Sequence, residues 1–103
     1  MVKKDVVRIV KTFLNFLEEK GVEVTAAYIY GSYSKGTPTS HSDFDVAIVS
    51  DNFTGNPLKD IKIIFQALKQ ADSRIEPVYF HPKDFRDEDP LVWEIKKNGI
   101  KIR

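Results

Sequence analysis

A chain of 103 residues, 42% apolar and 30% charged with a formal net charge of +1, has the balance of a globular protein with a single core and little room for a second module. The near-zero charge argues against nucleic acid or an anionic membrane as a partner. The absence of cysteine excludes disulfides and thiolate metal sites and fits a cytosolic protein.

Lys3, Lys4, Asp5, Arg8 and Lys11 interrupt the apolar residues of the N-terminus, so this segment reads as neither secretion signal nor membrane span. Val6, Val10, Phe13, Leu14 and Leu17 recur at helical spacing, and Lys20-Gly21 closes that helix with a glycine suited to a left-handed cap. Val22 to Tyr30, rich in β-branched and aromatic residues, predicts a strand that ends at a Gly31-Ser32 turn. A second strand is expected over Asp43 to Val49, with Asp43 and Asp45 on one face and Phe44, Val46 and Ile48 on the other.

Asn56-Pro57 supplies a cap and a first-turn proline for a second helix, with Ile61, Ile64, Phe65 and Leu68 as its apolar stripe. Ile75 to Phe80 reads as a third strand. Pro77 cannot donate to a ladder, so that strand has a gap there or lies at an edge. Asp89-Pro90 starts a last short helix through Leu91, Trp93 and Ile95, which Asn98-Gly99 stops, and Ile100 and Ile102 suggest a terminal strand. The fold class is therefore α+β, a mixed sheet with helices packed on it, in one cytoplasmic domain spanning 1–103.

The chemistry is concentrated between Gly31 and Ile48. Two carboxylates two residues apart on a strand project to one side, and their repulsion is relieved by a hard cation. Asp-x-Asp alone is also a common surface pattern. Upstream of it, a strand ending in Gly31-Ser32 aims backbone N–H groups at one point and offers a hydroxyl, which makes an anion site; the plain alternative is a turn with a polar cap. Gly31-x4-Gly36-Thr37 superficially matches a P-loop, but the lysine that should follow the second glycine is missing.

Taken whole, Gly-Ser-x3-Gly-x5-Ser-Asp-x-Asp-Val-Ala-Ile, from Gly31 to Ile48, resembles the signature of the DNA polymerase β-like nucleotidyltransferase superfamily, and within it the minimal single-domain members. The order of helices and strands along most of the chain resembles that fold as well. The resemblance implies that Asp43 and Asp45 ligate two Mg²⁺ ions together with a third acidic residue from a later strand. Glu76 is the candidate, as metal ligand and as acceptor of the attacking hydroxyl's proton, although minimal members more often carry aspartate there. Its competing reading is an exposed glutamate paired with Arg74 or a lysine, and Asp72 and Asp84 lie just outside the strand. Gly31 and Ser32 would hold the triphosphate of ATP. Lys35 either touches a phosphate or is a solvated loop lysine, and Ser42 either orients Asp43 or ends a polar loop.

His41 and His81 show no ligand spacing and read as loop histidines. Tyr28, Tyr30, Tyr79 and Phe80 read as core or site wall. The resemblance further implies transfer of AMP from ATP to an acceptor hydroxyl, with a small helical HEPN-type toxin as partner and this chain as its antitoxin. A rival reading makes the chain a binding module that neutralises the toxin by contact. Leu91, Trp93 and Ile95 either pack on the sheet or, where exposed, offer a partner surface.

Overall fold

The first apolar stripe becomes α1 (Lys4–Glu19), which buries the five residues its periodicity singles out, Val6, Val10, Phe13, Leu14 and Leu17. The computed structural model describes residues 4–31, 44–52, 57–72 and 74–103. Gly21 ends α1 at a φ of 89°. Its N–H donates to Glu18 O and that of Val22 to Leu17 O, each at 3.0 Å, the paired bonds of a Schellman cap. Val22 and Leu17 both enter the core, so the cap also fixes how the chain turns back onto the sheet.

β1 (Ala26–Tyr30) is shorter than the expected Val22–Tyr30 strand. The reason is side-chain competition for the backbone at Glu23. Its carbonyl accepts from Ser50 Oγ at 2.6 Å and its N–H donates to Asn52 Oδ1 at 2.7 Å, so these groups are satisfied without a ladder. β2 (Phe44–Val49) follows; Asp43, expected to begin it, lies outside the described residues. α2 (Pro57–Gln70) has its proline at the first helical position, while the Asn56 cap lies outside the described residues. β3 (Ile75–Phe80) has the expected bounds. A 3₁₀ turn (Pro82–Asp84) leads on to α3 (Pro90–Asn98). The Asp89 carboxylate caps α3 by accepting from Leu91 N–H at 2.9 Å. β4 (Ile100–Lys101) closes the chain.

The four strands form one sheet in the order β3-β2-β1-β4, with β1 antiparallel to β2 and β4, and β3 parallel to β2. Pro77 therefore sits on an edge strand. Phe44 N–H bonds Arg74 O and Ser50 N–H bonds Phe80 O, so the even-numbered groups of β3 face β2. Pro77 then turns its donorless nitrogen to the open side, where it costs no ladder bond and blunts the edge.

One face of the sheet is sealed by α1 and α2. Ala27, Ile29, Phe44, Val46, Ile48 and Ile75 join the α1 stripe and Ile64 and Ala67 of α2 in a single apolar core. Burying side chains of this size stabilises the fold by about 1.5–3 kcal/mol each before entropy is counted. The expected α2 stripe is rotated: Ile64 is buried, but Ile61 and Phe65 are 40% and 55% exposed. The line of buried residues runs through Asp60, Ile64 and Ala67, which leaves Ile61 and Phe65 overhanging the β3 edge. There they line, with Pro77 and Tyr79, an apolar groove of about 280 Å³.

Candidate functional site

Alternation along the strands decides what the second face carries. With Phe44, Val46 and Ile48 turned into the helix-covered core, Asp45 and Ala47 must point the other way. The register pairs Tyr30 of β1 with Asp45 of β2, and Asp45 with Glu76 of β3. Three adjacent strands, spaced about 4.8 Å apart, thus bring a phenol and two carboxylates into one row. Asp45 and Tyr30 are half-buried and Glu76 is exposed. The next rows of this face are apolar: Tyr28, Ala47 and Val78, then Ala26, Val49 and Phe80. Phe85 stacks on Tyr28 at 5.7 Å and meets Phe80 at 5.2 Å. Lys96 of α3 lies 5.1 Å from the same ring, so α3 and the segment before it cover this apolar part.

Asp72 and Asp84 do not join the row. Asp72 is held by Arg74, which donates from Nη2 at 2.9 Å, Nε at 3.2 Å and its backbone N–H at 2.8 Å. Those side-chain bonds keep the Asp72 carboxyl below its ordinary value. The same guanidinium lies 4.7 Å over the Phe44 ring. Asp84 belongs to the 3₁₀ turn beyond the far end of β3. Of these three later acids, only Glu76 is set beside Asp45.

Gly31 follows Tyr30 at a φ of 74°, a conformation that disfavours any residue with a Cβ. A Cβ there would also collide with Oδ2 of Asp45 and lie 3.2 Å from its Cγ. Sequence reasoning assigned this glycine to phosphate approach. The structure adds a second reason, since its bare Cα leaves room for the Asp45 carboxylate.

Tyr30, read in the sequence as core or site wall, is set beside Asp45 by the register. Burial first, then the charges of Asp45 and Glu76, push its phenol above the ordinary tyrosine value, so it keeps its proton through neutral pH. A signal was available: it shares a face with Tyr28, and an antiparallel return after Gly31 sets it opposite a motif aspartate.

Ser32, Lys35, His41, Ser42 and Asp43 lie outside the described residues. His81 accepts from Lys83 N–H through Nδ1 at 3.2 Å and caps the 3₁₀ turn. Among the described residues no cluster of three His, Cys, Asp or Glu side chains suited to a metal forms; the row contributes two carboxylates. On α3, Val92 and Ile95 are buried while Leu91 and Trp93 are 39% and 47% exposed, so the part of this helix expected to pack on the sheet is only its Ile95 side. Lys97 Nζ lies 4.5 Å over the Trp93 ring. No described helix is long and apolar enough to cross a membrane.

Solved structures resemble this chain in fold, among them the following two. A candidate nucleotidyltransferase from Sulfolobus solfataricus superposes with a TM-score of 0.66 at 13% identity, over 92% of this chain and 77% of that one. A toxin–antitoxin crystallised with AMP-PNP gives 0.64 at 19% identity, over 90% of this chain and 71% of that one. At such identities the likeness is one of fold. No curated protein matches the sequence. The nucleotidyltransferase domain model matches residues 10–102, a span that takes in every element from within α1 to β4. The chain belongs to the nucleotidyltransferase domain family.

Proposed function

We propose that this nucleotidyltransferase transfers a nucleotide monophosphate, AMP from ATP, to a hydroxyl on a partner protein, as the antitoxin half of a HEPN-type pair. The observation that carries the reading is the register pairing of Asp45 with Glu76 beside the Gly31 turn. Two carboxylates on adjacent strands repel each other, and two hard oxygen donors set side by side fit a divalent cation. Asp45 and Glu76 would hold Mg²⁺, with Asp43, and the sequence motif supports two ions. Bound there, the cation neutralises triphosphate charge and eases ionisation of the acceptor hydroxyl.

The chain's own residues do the rest. Glu76 accepts the proton of the acceptor hydroxyl as its oxygen bonds to the α-phosphorus and the bond to pyrophosphate breaks. Gly31 and Ser32 hold the triphosphate, aided by Lys35, and Ser42 steadies Asp43. Catalysis is then positioning and charge neutralisation. The partner reading is supported by the toxin–antitoxin fold neighbour and by exposed Leu91 and Trp93, an aromatic anchor of the kind that dominates interfaces.

The test is incubation with Mg²⁺, ATP labelled at the α-phosphate and the helical partner. Label is expected on the partner with the native chain and absent with Asp45→Asn. A partner that binds tightly yet never acquires label would instead establish neutralisation by contact.

A further inference from the structure

The row contains two acceptors and one donor, and the proposed function uses only the acceptors. Asp45 and Glu76, as carboxylates, can only accept, and a nucleotide's phosphate oxygens can only accept as well. Between such groups a direct contact is repulsive, and a donor is needed wherever a cation does not intervene. A lysine or arginine in the row would pair with the carboxylates and compete with a metal for them. A neutral phenol donates without cancelling their charge.

Tyr30 meets these requirements by position. It is Asp45's register partner on β1, on the side of the row away from Glu76. It directly precedes Gly31, where the phosphate-holding turn begins and where the Asp45 carboxylate closes against the backbone. The ring is half-buried, which leaves it less side-chain entropy to lose when the hydroxyl binds.

Resting on the nucleotide-transfer reading above, we infer that Tyr30 is a substrate-binding residue whose phenolic hydroxyl donates a hydrogen bond to a phosphate oxygen of the nucleotide lying over Asp45.

Calorimetry with Mg²⁺ and AMP-PNP, and separately with Mg²⁺ and inorganic pyrophosphate, tests this on the native chain and Tyr30→Phe. Loss of a hydrogen bond to a charged oxygen predicts roughly tenfold weaker binding of both probes, with an unchanged melting temperature because the ring remains. A fluorine spectrum of the 3-fluorotyrosine-labelled chain, assigned by Tyr30→Phe, gives a readout independent of any effect of the substitution on folding. The Tyr30 resonance is expected to move when Mg²⁺ and AMP-PNP are added. Equal affinities for the two chains, or a Tyr30 resonance that stays in place while AMP-PNP binds, would overturn the role of Tyr30 and leave nucleotide transfer standing. A native chain that binds neither probe would overturn nucleotide transfer itself.

Discussion

On one face of the sheet Phe44, Val46 and Ile48 meet α1 and α2 in a sealed apolar core. One residue along the same strand, Asp45 stands beside Glu76 and Tyr30 on the other face, at the end that the aromatic cluster around Phe85 leaves to polar groups. The first face is fixed by area, since each residue contributes in proportion to the apolar surface it removes from water. The second is fixed by register, since three residues far apart in sequence act together only if the ladders align. Substitutions on the first face should therefore cost stability, and substitutions on the second should cost chemistry.

The largest effect is expected at Glu76. Glu76→Gln keeps shape and removes the proton acceptor, so turnover should fall by about 10²–10⁴-fold, well beyond any loss of AMP-PNP binding, which survives on Asp43 and Asp45, while the melting temperature holds or rises. Wild-type turnover in a coupled pyrophosphate-release assay would dissolve the row as a catalytic unit. Phe44→Ala sharpens the contrast from the other face. It empties a fully buried site and should cost about 3–5 kcal/mol in urea unfolding, and at a temperature where the variant is still folded its transfer rate should persist.

Gly31→Ala tests the point where backbone and site meet. A positive φ costs a residue with a Cβ about 1–2 kcal/mol, and the added carbon must displace the Asp45 carboxylate. A carboxylate misplaced by about 1 Å should cost on the order of 10²-fold in turnover. Both losses should appear together, in denaturant melts and steady-state rates. Asp72→Asn is the smallest effect and the control for Glu76. Its carboxyl lies below its ordinary value because Arg74 binds it. The pair therefore stabilises the fold above the unfolded carboxyl's titration range and loses that contribution as pH falls through the lowered folded value. For a pair this exposed the neutral-pH cost is about 0.2–1 kcal/mol, vanishing in strong acid, with transfer unaffected. Loss of transfer in Asp72→Asn would reassign the third acid.

How much of this was legible in the sequence follows from the same contrast. Local signals were enough for the elements: the α1 stripe, the Gly21 cap, Pro77 at an edge and Asp89-Pro90 at the start of α3 all stand where residue type puts them. Strand alternation was enough to put Asp45 on the face opposite Phe44, Val46 and Ile48. What periodicity could not give was how far a tertiary surface extends. Ile61 and Phe65 belong to a helical stripe that outruns the sheet beneath it, and Leu91 and Trp93 to a helix whose buried line passes through Val92 and Ile95. Glu23 looked like strand because nothing local reveals that Ser50 and Asn52 take its backbone groups. That Tyr30 stands beside Asp45 is set by pairing across strands, which no local signal carries.

The most direct measurement is binding of AMP-PNP to the native chain and Asp45→Asn by calorimetry, with and without Mg²⁺, alongside a thermal melt of each. Mg²⁺-dependent affinity should fall by roughly tenfold or more as one charged ligand is lost. The melting temperature should hold or rise, because the Asp45–Glu76 repulsion is relieved. Unchanged Mg²⁺-dependent affinity, or a loss of stability like that of Phe44→Ala, would contradict the division of this sheet into a face that folds the chain and a face that binds its substrate.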